Sequence, residues 1–180
     1  MEKDIKRVLI SEEQIQKRAK ELGAQISKDY DGKTPILVGL LKGSIPFMAE
    51  LLKNITIYAQ TEYMSVSSYF GTSSSGEVKI NKDLDIAIEG RDIIIVEDIV
   101  DTGLTLTTIV NMLKNRKARS VEIATLLDKK EGRKPGYELE PRYVGFDVPN
   151  EFVVGFGLDF NEIYRNLPYV GVLKEEVYSK

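Results

Sequence analysis

Two adjacent carboxylates, Glu97 and Asp98, directly follow a run of four β-branched residues at positions 93–96. The run predicts a buried strand, and carboxylates at its end are costly to bury unless a cation or hydroxyl groups meet them. Carboxylate oxygens suit a hard cation such as Mg²⁺, and the same oxygens accept hydrogen bonds from a sugar diol. The pair is therefore the first candidate site.

The turn that follows this acidic pair combines several groups that bind anions. Residues 101–105 read Asp-Thr-Gly-Leu-Thr, and they offer hydroxyls, a permissive glycine and successive backbone N–H groups at the predicted start of a helix. A phosphate monoester would fit such a turn. Taken alone, an Asp-Thr-Gly triplet is more often a surface turn in which Asp or Thr caps the helix.

The chain of 180 residues contains neither cysteine nor histidine. A disulfide framework, a thiolate nucleophile and a zinc-thiolate site are therefore excluded, and so is the commonest general base. Proton transfer near neutral pH must fall to a carboxylate, a lysine or a tyrosine, and any metal should be a hard cation bound through oxygen.

The charge balance argues against a nucleic-acid partner. The chain carries 25 Lys and Arg against 28 Asp and Glu, for a formal net charge of −3. A binder of polyanions would carry a basic surface instead. The amino-terminal residues are charged, and no apolar run approaches the roughly 18 residues of a membrane helix. We therefore expect a cytoplasmic protein that binds neither nucleic acid nor membrane.

Predicted strands alternate with predicted helices along the whole chain. Ser11 and Gln14 have capping-box spacing at the start of the first helix, whose apolar residues Ile15, Ala19, Leu22 and Ile26 repeat at helical spacing. Further helices are predicted at residues 45–53 and 104–115, and a Ser/Gly-rich stretch at 67–76 predicts a mobile loop or lid. The predicted strands are residues 36–41, 57–66, 92–100, 121–127, 143–148, 152–156 and 169–173, with pairing resumed at 78–80.

This alternation predicts one α/β domain over residues 1–180, with a mostly parallel central sheet flanked by helices. Ligands of such sheets bind beyond the carboxyl ends of the strands. Three segments with charged or hydroxyl side chains each begin where a predicted strand ends: residues 42–44, 97–105 and 128–129. The sequence therefore predicts a shared site at that edge.

Residues 93–105 resemble the fingerprint with which type I phosphoribosyltransferases bind 5-phosphoribosyl 1-pyrophosphate (PRPP). Residues 40–44, 68–69, 128–129 and 152–167 narrow the resemblance to the hypoxanthine-guanine phosphoribosyltransferases, because they look like that family's motifs in its order. The match spans roughly residues 36–173. It implies the type I phosphoribosyltransferase fold, with a small hood contributed by the C-terminal part and a flexible lid loop at about 67–77.

The resemblance also implies a reaction. It is the Mg²⁺-dependent transfer of a 5-phosphoribosyl group from PRPP to N9 of hypoxanthine or guanine, which gives IMP or GMP and pyrophosphate in purine salvage. Relatives are homodimers or homotetramers, so the resemblance implies one of these assemblies.

The family's roles transfer to this chain residue by residue. Asp101 matches the catalytic residue that faces N7 of the purine and manages its proton, and Ser68 and Tyr69 match the lid. Glu97 and Asp98 match residues that bind the ribose and the metal, and Asp159 matches a second metal contact. The matches that bind the 5′-phosphate are Thr102, Gly103, Leu104 and Thr105, and those that bind pyrophosphate are Lys42, Gly43 and Arg165. The matches that bind the purine are Lys129, Phe152, Val153 and Asp159.

Two alternatives stay open on the sequence. A PRPP-sensing regulator would share the fold, but the acidic charge and the presence of all three matches Lys129, Phe152 and Asp159 favour an enzyme. A xanthine or adenine phosphoribosyltransferase is the nearer rival. Lys129 argues against adenine, because a cationic donor favours a carbonyl oxygen over an amino group.

Overall fold

The computed structural model describes residues 1–69 and 77–179, which form two β-sheets and four α-helices. In chain order the main elements are β1 (Ile5–Ile10), α1 (Glu12–Asp29), β2 (Ile36–Leu40), α2 (Ile45–Leu52), β3 (Gln60–Tyr69), β4 (Glu77–Lys82), β5 (Asp92–Val100), α3 (Leu104–Asn115), β6 (Ser120–Asp128), β7 (Tyr143–Asp147), β8 (Val153–Val154), β9 (Val170–Leu173) and α4 (Glu175–Tyr178).

The larger sheet has six strands in the order β4-β3-β2-β5-β6-β7. All its neighbours are parallel except β3 and β4, which pair antiparallel. Crossover helices between parallel strands cover both faces of such a sheet, so its central strands are apolar on both sides. The predicted mostly parallel α/β sheet is confirmed.

Strand β5 shows how the core is divided. Ile94 and Val96 face a cluster that includes buried residues of α1 and α2, whereas Ile93 and Ile95 face a second cluster that includes buried residues of α3. Successive side chains of a strand point to opposite faces, so four consecutive apolar residues fill both halves of the core. Rigid packing on both faces fixes the carboxyl end of β5, where the acidic pair lies.

Helix α1 begins as its sequence predicts. Ser11 is the N-cap, and its Oγ accepts a hydrogen bond from the backbone N–H of Gln14. The Gln14 Oε1 in turn accepts a hydrogen bond from the backbone N–H of Ser11. Reciprocal bonds of this kind satisfy two donors that the first turn of a helix leaves free. The predicted apolar stripe of α1 is buried: Ile15, Ala19, Leu22 and Ile26.

The second sheet has three antiparallel strands in the order β1-β9-β8. It joins both ends of the chain, because β1 comes from the N-terminus and β9 from the C-terminus. Neither β1 nor the short helix α4 was predicted from the sequence. Within residues 1–69 and 77–179, no helix is both long and apolar enough to cross a membrane.

Two strand predictions differ from the structure. The strand expected at 57–66 is β3, which begins three residues later, at Gln60, and extends to Tyr69; its final residues pair with β4, as in Ser68 opposite Val78. The strand expected at 152–156 stops after Val154, because Gly155 and Phe156 adopt left-handed φ values of 97° and 47° that turn the backbone. Residues 70–76, most of the predicted lid loop, lie outside the described residues.

Candidate active site

The three segments that the sequence analysis placed at one sheet edge do lie together. Lys42 and Gly43 follow β2, Asp101 follows β5 and Lys129 follows β6. The backbone N–H of Lys129 donates to the carbonyl of Val100 at 2.9 Å, which ties the ends of β5 and β6 together. The candidate residues described below come from this edge, from β8 of the second sheet with the residue before it, and from the loop after β8.

The acidic pair lies inside β5, where Glu97 is paired opposite Thr125, rather than in a turn after the strand. Both side chains are half-buried. Removal from water raises the pKa of the Glu97 carboxyl well above its usual range, and the negative charge of Asp98 raises it further. Burial also raises the pKa of Asp98, against the opposing effects of the Ile99 N–H and the Arg165 charge. A cation or hydroxyl donors would relieve this cost.

The turn after β2 is packed directly against the acidic pair. A Cβ atom at Gly43 would collide with the Asp98 carboxylate, and one at Gly157 would collide with the Gly43 carbonyl. The preceding peptide bond, Leu41–Lys42, is cis. Glycine at both positions therefore allows the turn after β2, strand β5 and the loop after β8 to meet without side chains between them.

Gly103 shapes the predicted phosphate turn. It is the N-cap of α3 with φ of 81°, and a Cβ there would collide with the carbonyl oxygen of Tyr137. A pocket of about 170 Å³ opens over the turn and the start of α3; it is lined by Glu97 and residues 99–106. The N–H groups of the first helical turn lack carbonyl partners within the helix, so this pocket suits an anion.

A second pocket, of about 140 Å³, is lined by three of the four residues expected to bind the purine. We call it the apolar pocket, because four of its six lining residues are apolar. Its lining is Ile99, Asp101, Lys129, Phe152, Val153 and Leu158. Asp159, the fourth, is absent from this lining. Ile99 and Leu158 were missed by the sequence analysis, because each resembles any other apolar core residue and only its position next to a matched residue could have signalled it.

Asp101 lines both pockets, and it lies beside Lys129. The Lys129 ammonium is 3.3 Å from Asp101 Oδ2, and the lysine is only 9% exposed. Gly132 packs so closely that a Cβ there would collide with Asp101 Oδ1. The Asp101 carboxylate is thereby held between the anion pocket and the apolar pocket.

Arg133, which the sequence analysis missed, fixes the backbone beneath Asp101. Its Nη1 donates to the carbonyls of Val100 and Asp101 at 2.8 Å each, and its Nη2 donates to Asp128 Oδ1 at 2.5 Å. Both partners of the ion pair are buried, with side-chain exposures of 10% and 1%. The guanidinium, with five donors, can serve three acceptors on two strand ends at once.

Three charged residues of the loop after β8 form a cluster of ion pairs that also includes Lys42. Arg165 Nη1 donates to the Gly157 carbonyl at 2.7 Å, and its Nη2 lies 3.1 Å from Asp159 Oδ1 and 2.9 Å from Glu162 Oε1. The other oxygen of Glu162 lies 2.6 Å from Lys42 Nζ. Lys42 and Arg165 are thus brought together, through a glutamate that the sequence analysis did not assign.

Phe152 is supported by two aromatic rings. Tyr178 of α4 stacks on it with ring centroids 4.7 Å apart at an interplanar angle of 18°, and Phe160 meets it edge-on at 5.6 Å. Both geometries are favourable for aromatic pairs. The C-terminal helix therefore reaches the aromatic residue of the apolar pocket.

Ser68, expected in the lid, lies in β3, and its Oγ is 2.8 Å from Thr105 Oγ1 in the phosphate turn. The expected lid segment is thus connected to the anion pocket at its first residues. Tyr69 ends the same strand.

The residues present fit part of a Mg²⁺ site. Glu97 and Asp98 supply adjacent oxygen donors whose burial a cation would relieve. No three acidic side chains in the described part of the chain stand close enough to form a complete metal site. Asp159 is engaged by Arg165 and by the backbone N–H of Glu162, so its assignment as a metal contact stays a proposal.

Two wider grooves of about 670 Å³ each lie at the opposite edge, before the amino ends of β2 and β3. No residue with a predicted chemical role lines either groove.

Comparison with known proteins agrees with this geometry. The Phosphoribosyl transferase domain family matches residues 10–161. A hypoxanthine-guanine phosphoribosyltransferase of Streptococcus agalactiae is 61% identical over 181 residues, covering 100% of this chain and 99% of the relative.

Solved structures give the same result. A hypoxanthine phosphoribosyltransferase of Staphylococcus aureus superposes with a TM-score of 0.95 at 54% identity, over 100% of this chain and 97% of that one. A hypoxanthine-guanine phosphoribosyltransferase of Bacillus anthracis superposes with a TM-score of 0.89 at 43% identity, over 94% and 99%. With the sheet edge, the two pockets and the matched motifs, these similarities show that the chain belongs to the hypoxanthine-guanine phosphoribosyltransferases, of the type I phosphoribosyltransferase fold.

Proposed function

We propose that this protein transfers the 5-phosphoribosyl group of PRPP to N9 of hypoxanthine or guanine, giving IMP or GMP and pyrophosphate, and so acts in purine salvage. The observation that carries the proposal is the position of Asp101, which lines both the anion pocket and the apolar pocket. A nucleoside monophosphate has its 5′-phosphate at one end and its base at the other. A residue at the junction of the two pockets is placed to act near the bond that forms between them.

The phosphate end is assigned to the turn before α3. Thr102, Gly103, Leu104 and Thr105 hold the 5′-phosphate with backbone N–H groups and hydroxyls, aided by the positive end of the helix dipole. Glu97 and Asp98 hold the ribose hydroxyls, which meets the cost of their burial.

The base end is assigned to the apolar pocket. Lys129 donates to the 6-oxo group, Phe152 stacks on the ring, and the backbone of Val153 reads the purine edge. Asp159 lies near the 2-position of the base in this proposal. Ile99 and Leu158 add apolar contact area to the pocket.

Opposite charges develop on the two parts of PRPP as its bond to pyrophosphate breaks. The ribose becomes cationic, and the carboxylates of Glu97, Asp98 and Asp101 stabilise it. The departing pyrophosphate becomes more anionic, and Lys42, Gly43 and Arg165 receive it. Asp101 takes part in moving the proton at N7 of the purine, a role that a carboxylate can fill in a chain without histidine.

Mg²⁺ is the proposed cofactor, held by Glu97 and Asp98 with Asp159 as a second contact. When bound, it neutralises charge on the pyrophosphate group. Ser68 and Tyr69 are proposed to begin a lid that excludes water from PRPP. A homodimer or homotetramer and a cytoplasmic location stay predictions, as does the absence of nucleic-acid and membrane partners.

The test is a Mg²⁺-dependent assay with PRPP and, separately, hypoxanthine, guanine, xanthine and adenine, which follows nucleotide and pyrophosphate together. We expect IMP and GMP in step with pyrophosphate, and no AMP. Binding of PRPP without conversion of any base would support a PRPP-sensing regulator instead. Formation of XMP or AMP as the main product would move the proposal to the corresponding phosphoribosyltransferase.

A further inference from the structure

A single carboxylate bridges the two cations assigned to pyrophosphate. Glu162 Oε2 lies 2.6 Å from Lys42 Nζ, and Glu162 Oε1 lies 2.9 Å from Arg165 Nη2. Lys42 follows β2, whereas Arg165 belongs to the loop after β8, so the glutamate connects two separate parts of the site.

The loop backbone places Glu162 in this position. Its N–H donates to Asp159 Oδ2 at 2.9 Å, and Phe160 and Ile163 close the turn by reciprocal backbone bonds of 3.1 and 3.2 Å. Asn161 and Glu162 have φ values of 52° and 66°. Residues other than glycine seldom occupy this left-handed region, so a specific turn presents the side chain.

A carboxylate and a phosphate oxygen pair are alternative acceptors for the same donors. Both accept charge-assisted bonds from Lys and Arg at similar distances. The Glu162 side chain is 62% exposed, so it can leave its partners for water without crossing a packed core.

We infer that Glu162 is an internal counter-ion of the pyrophosphate site, which the pyrophosphate group of PRPP must displace from Lys42 and Arg165. The inference rests on the function proposed above. Displacement weakens the binding of PRPP, because two ion pairs break as new ones form. It also speeds the release of pyrophosphate after the reaction, because the glutamate recaptures both cations.

The experiment measures pyrophosphate binding by isothermal titration calorimetry in excess Mg²⁺, without PRPP or base. Wild type is compared with Glu162→Gln and with the control Glu89→Gln. Glu89 forms an exposed ion pair with Lys117 at the amino ends of β5 and β6, away from the site. We expect Glu162→Gln to bind pyrophosphate about 5-fold more tightly, because pyrophosphate then no longer has to break two exposed ion pairs, each of which is weak. Glu89→Gln should bind pyrophosphate as wild type does.

The outcomes separate the inference from the proposed function. If wild type binds pyrophosphate and Glu162→Gln binds it with the same Kd, the inference is wrong but the proposed function stands. If neither protein binds pyrophosphate, the proposed function fails and the inference fails with it.

Two further measurements exclude a merely structural effect. In steady-state kinetics Glu162→Gln should lower the KM for PRPP and leave the KM for hypoxanthine unchanged; equal changes in both would contradict the inference. In a Lys42→Met background the gain from Glu162→Gln should shrink, because one of the two ion pairs is already lost. An undiminished gain would show that the Lys42 contact does not compete with pyrophosphate.

Discussion

The ammonium group of Lys129 lies 3.3 Å from Oδ2 of Asp101, at the base of the pocket that Phe152 and Val153 also line. The proposed reader of the purine 6-oxo group and the proposed catalytic carboxylate are therefore direct neighbours. Recognition of the base and handling of its proton are coupled, because a purine that engages Lys129 also approaches Asp101.

Asp101→Asn tests the catalytic assignment. The amide keeps the size of the side chain but cannot accept a proton, so we expect kcat to fall by about 100-fold while the Kd for PRPP changes by less than about 3-fold. Steady-state kinetics and PRPP titration measure the two quantities. Asp147→Asn, at an exposed ion pair with Lys130, is the control. An unchanged turnover number would contradict the assignment.

Lys129→Met tests the choice of base. Loss of a charge-assisted hydrogen bond should lower kcat/KM for hypoxanthine and guanine by about 30-fold, while the Kd for PRPP, which Lys129 does not contact in the proposed function, is much less affected. The neighbouring Lys130→Met is the control, because Lys130 is 62% exposed and pairs with Asp147. Equal losses in kcat/KM for the two bases and in PRPP affinity would argue that Lys129 supports the fold of the pocket rather than reading the purine.

Gly103→Ala tests the shape of the phosphate turn, with Gly136→Ala as a matched control. Both glycines have positive φ, at 81° and 86°, but an added Cβ collides with the Tyr137 carbonyl only at Gly103. We expect each variant to lose about 1–2 kcal/mol of unfolding free energy from the φ alone. Gly103→Ala alone should also raise the KM for PRPP, by about 10-fold if one anion contact is lost. A KM increase in both variants would assign the effect to general destabilisation.

Asp92 predicts an acid-dependent contribution to stability. Its side chain is 4% exposed; Arg119 holds it by two hydrogen bonds and Ser120 by one of 2.7 Å. These contacts, Arg119 first, lower its pKa from 3.8 to about 2. The unfolded chain therefore binds the proton first as the pH falls. The contribution is complete above pH 4 and is lost as the pH falls toward 2.

The measurement is urea unfolding of wild type and Asp92→Asn from pH 7 to pH 3. The difference in unfolding free energy should be no more than about 2 kcal/mol at pH 7, because Arg119 is largely exposed, and about half of that at pH 3. A difference that stays constant over this range would show that the effect of Asp92 does not depend on its charge.

The sequence determined the elements whose residues have strong local preferences. Helix α3 and strand β5 have the predicted bounds, because a β-branched run and a glycine before an amphipathic segment leave few alternatives. The capping box of α1 has its predicted partners for the same reason. The motifs also indicated the family and the sheet edge that carries the site.

Contacts between distant residues were decided only by the tertiary structure. The pairing of β1 with β9 joins the two ends of the chain, and neither segment shows its partner in its own sequence. Strand β8 has only two residues, because the backbone turns at Gly155 and Phe156, and a side chain at Gly155 would collide with the Tyr169 carbonyl. The structure thereby decided that residues 155–165 form a loop over the site rather than a longer strand.

The charged residues of the site show the same division. Lys42 and Arg165 could be assigned from their motifs, but Glu162 and Arg133 had no signal beyond being charged residues in loops. Glu162 acquires its position from a turn, and Arg133 from carbonyls that two strand ends present. An ion pair depends on the distance between side chains, and residues 120 positions apart, such as Lys42 and Glu162, are brought within reach only when the sheet and the loop above it have folded.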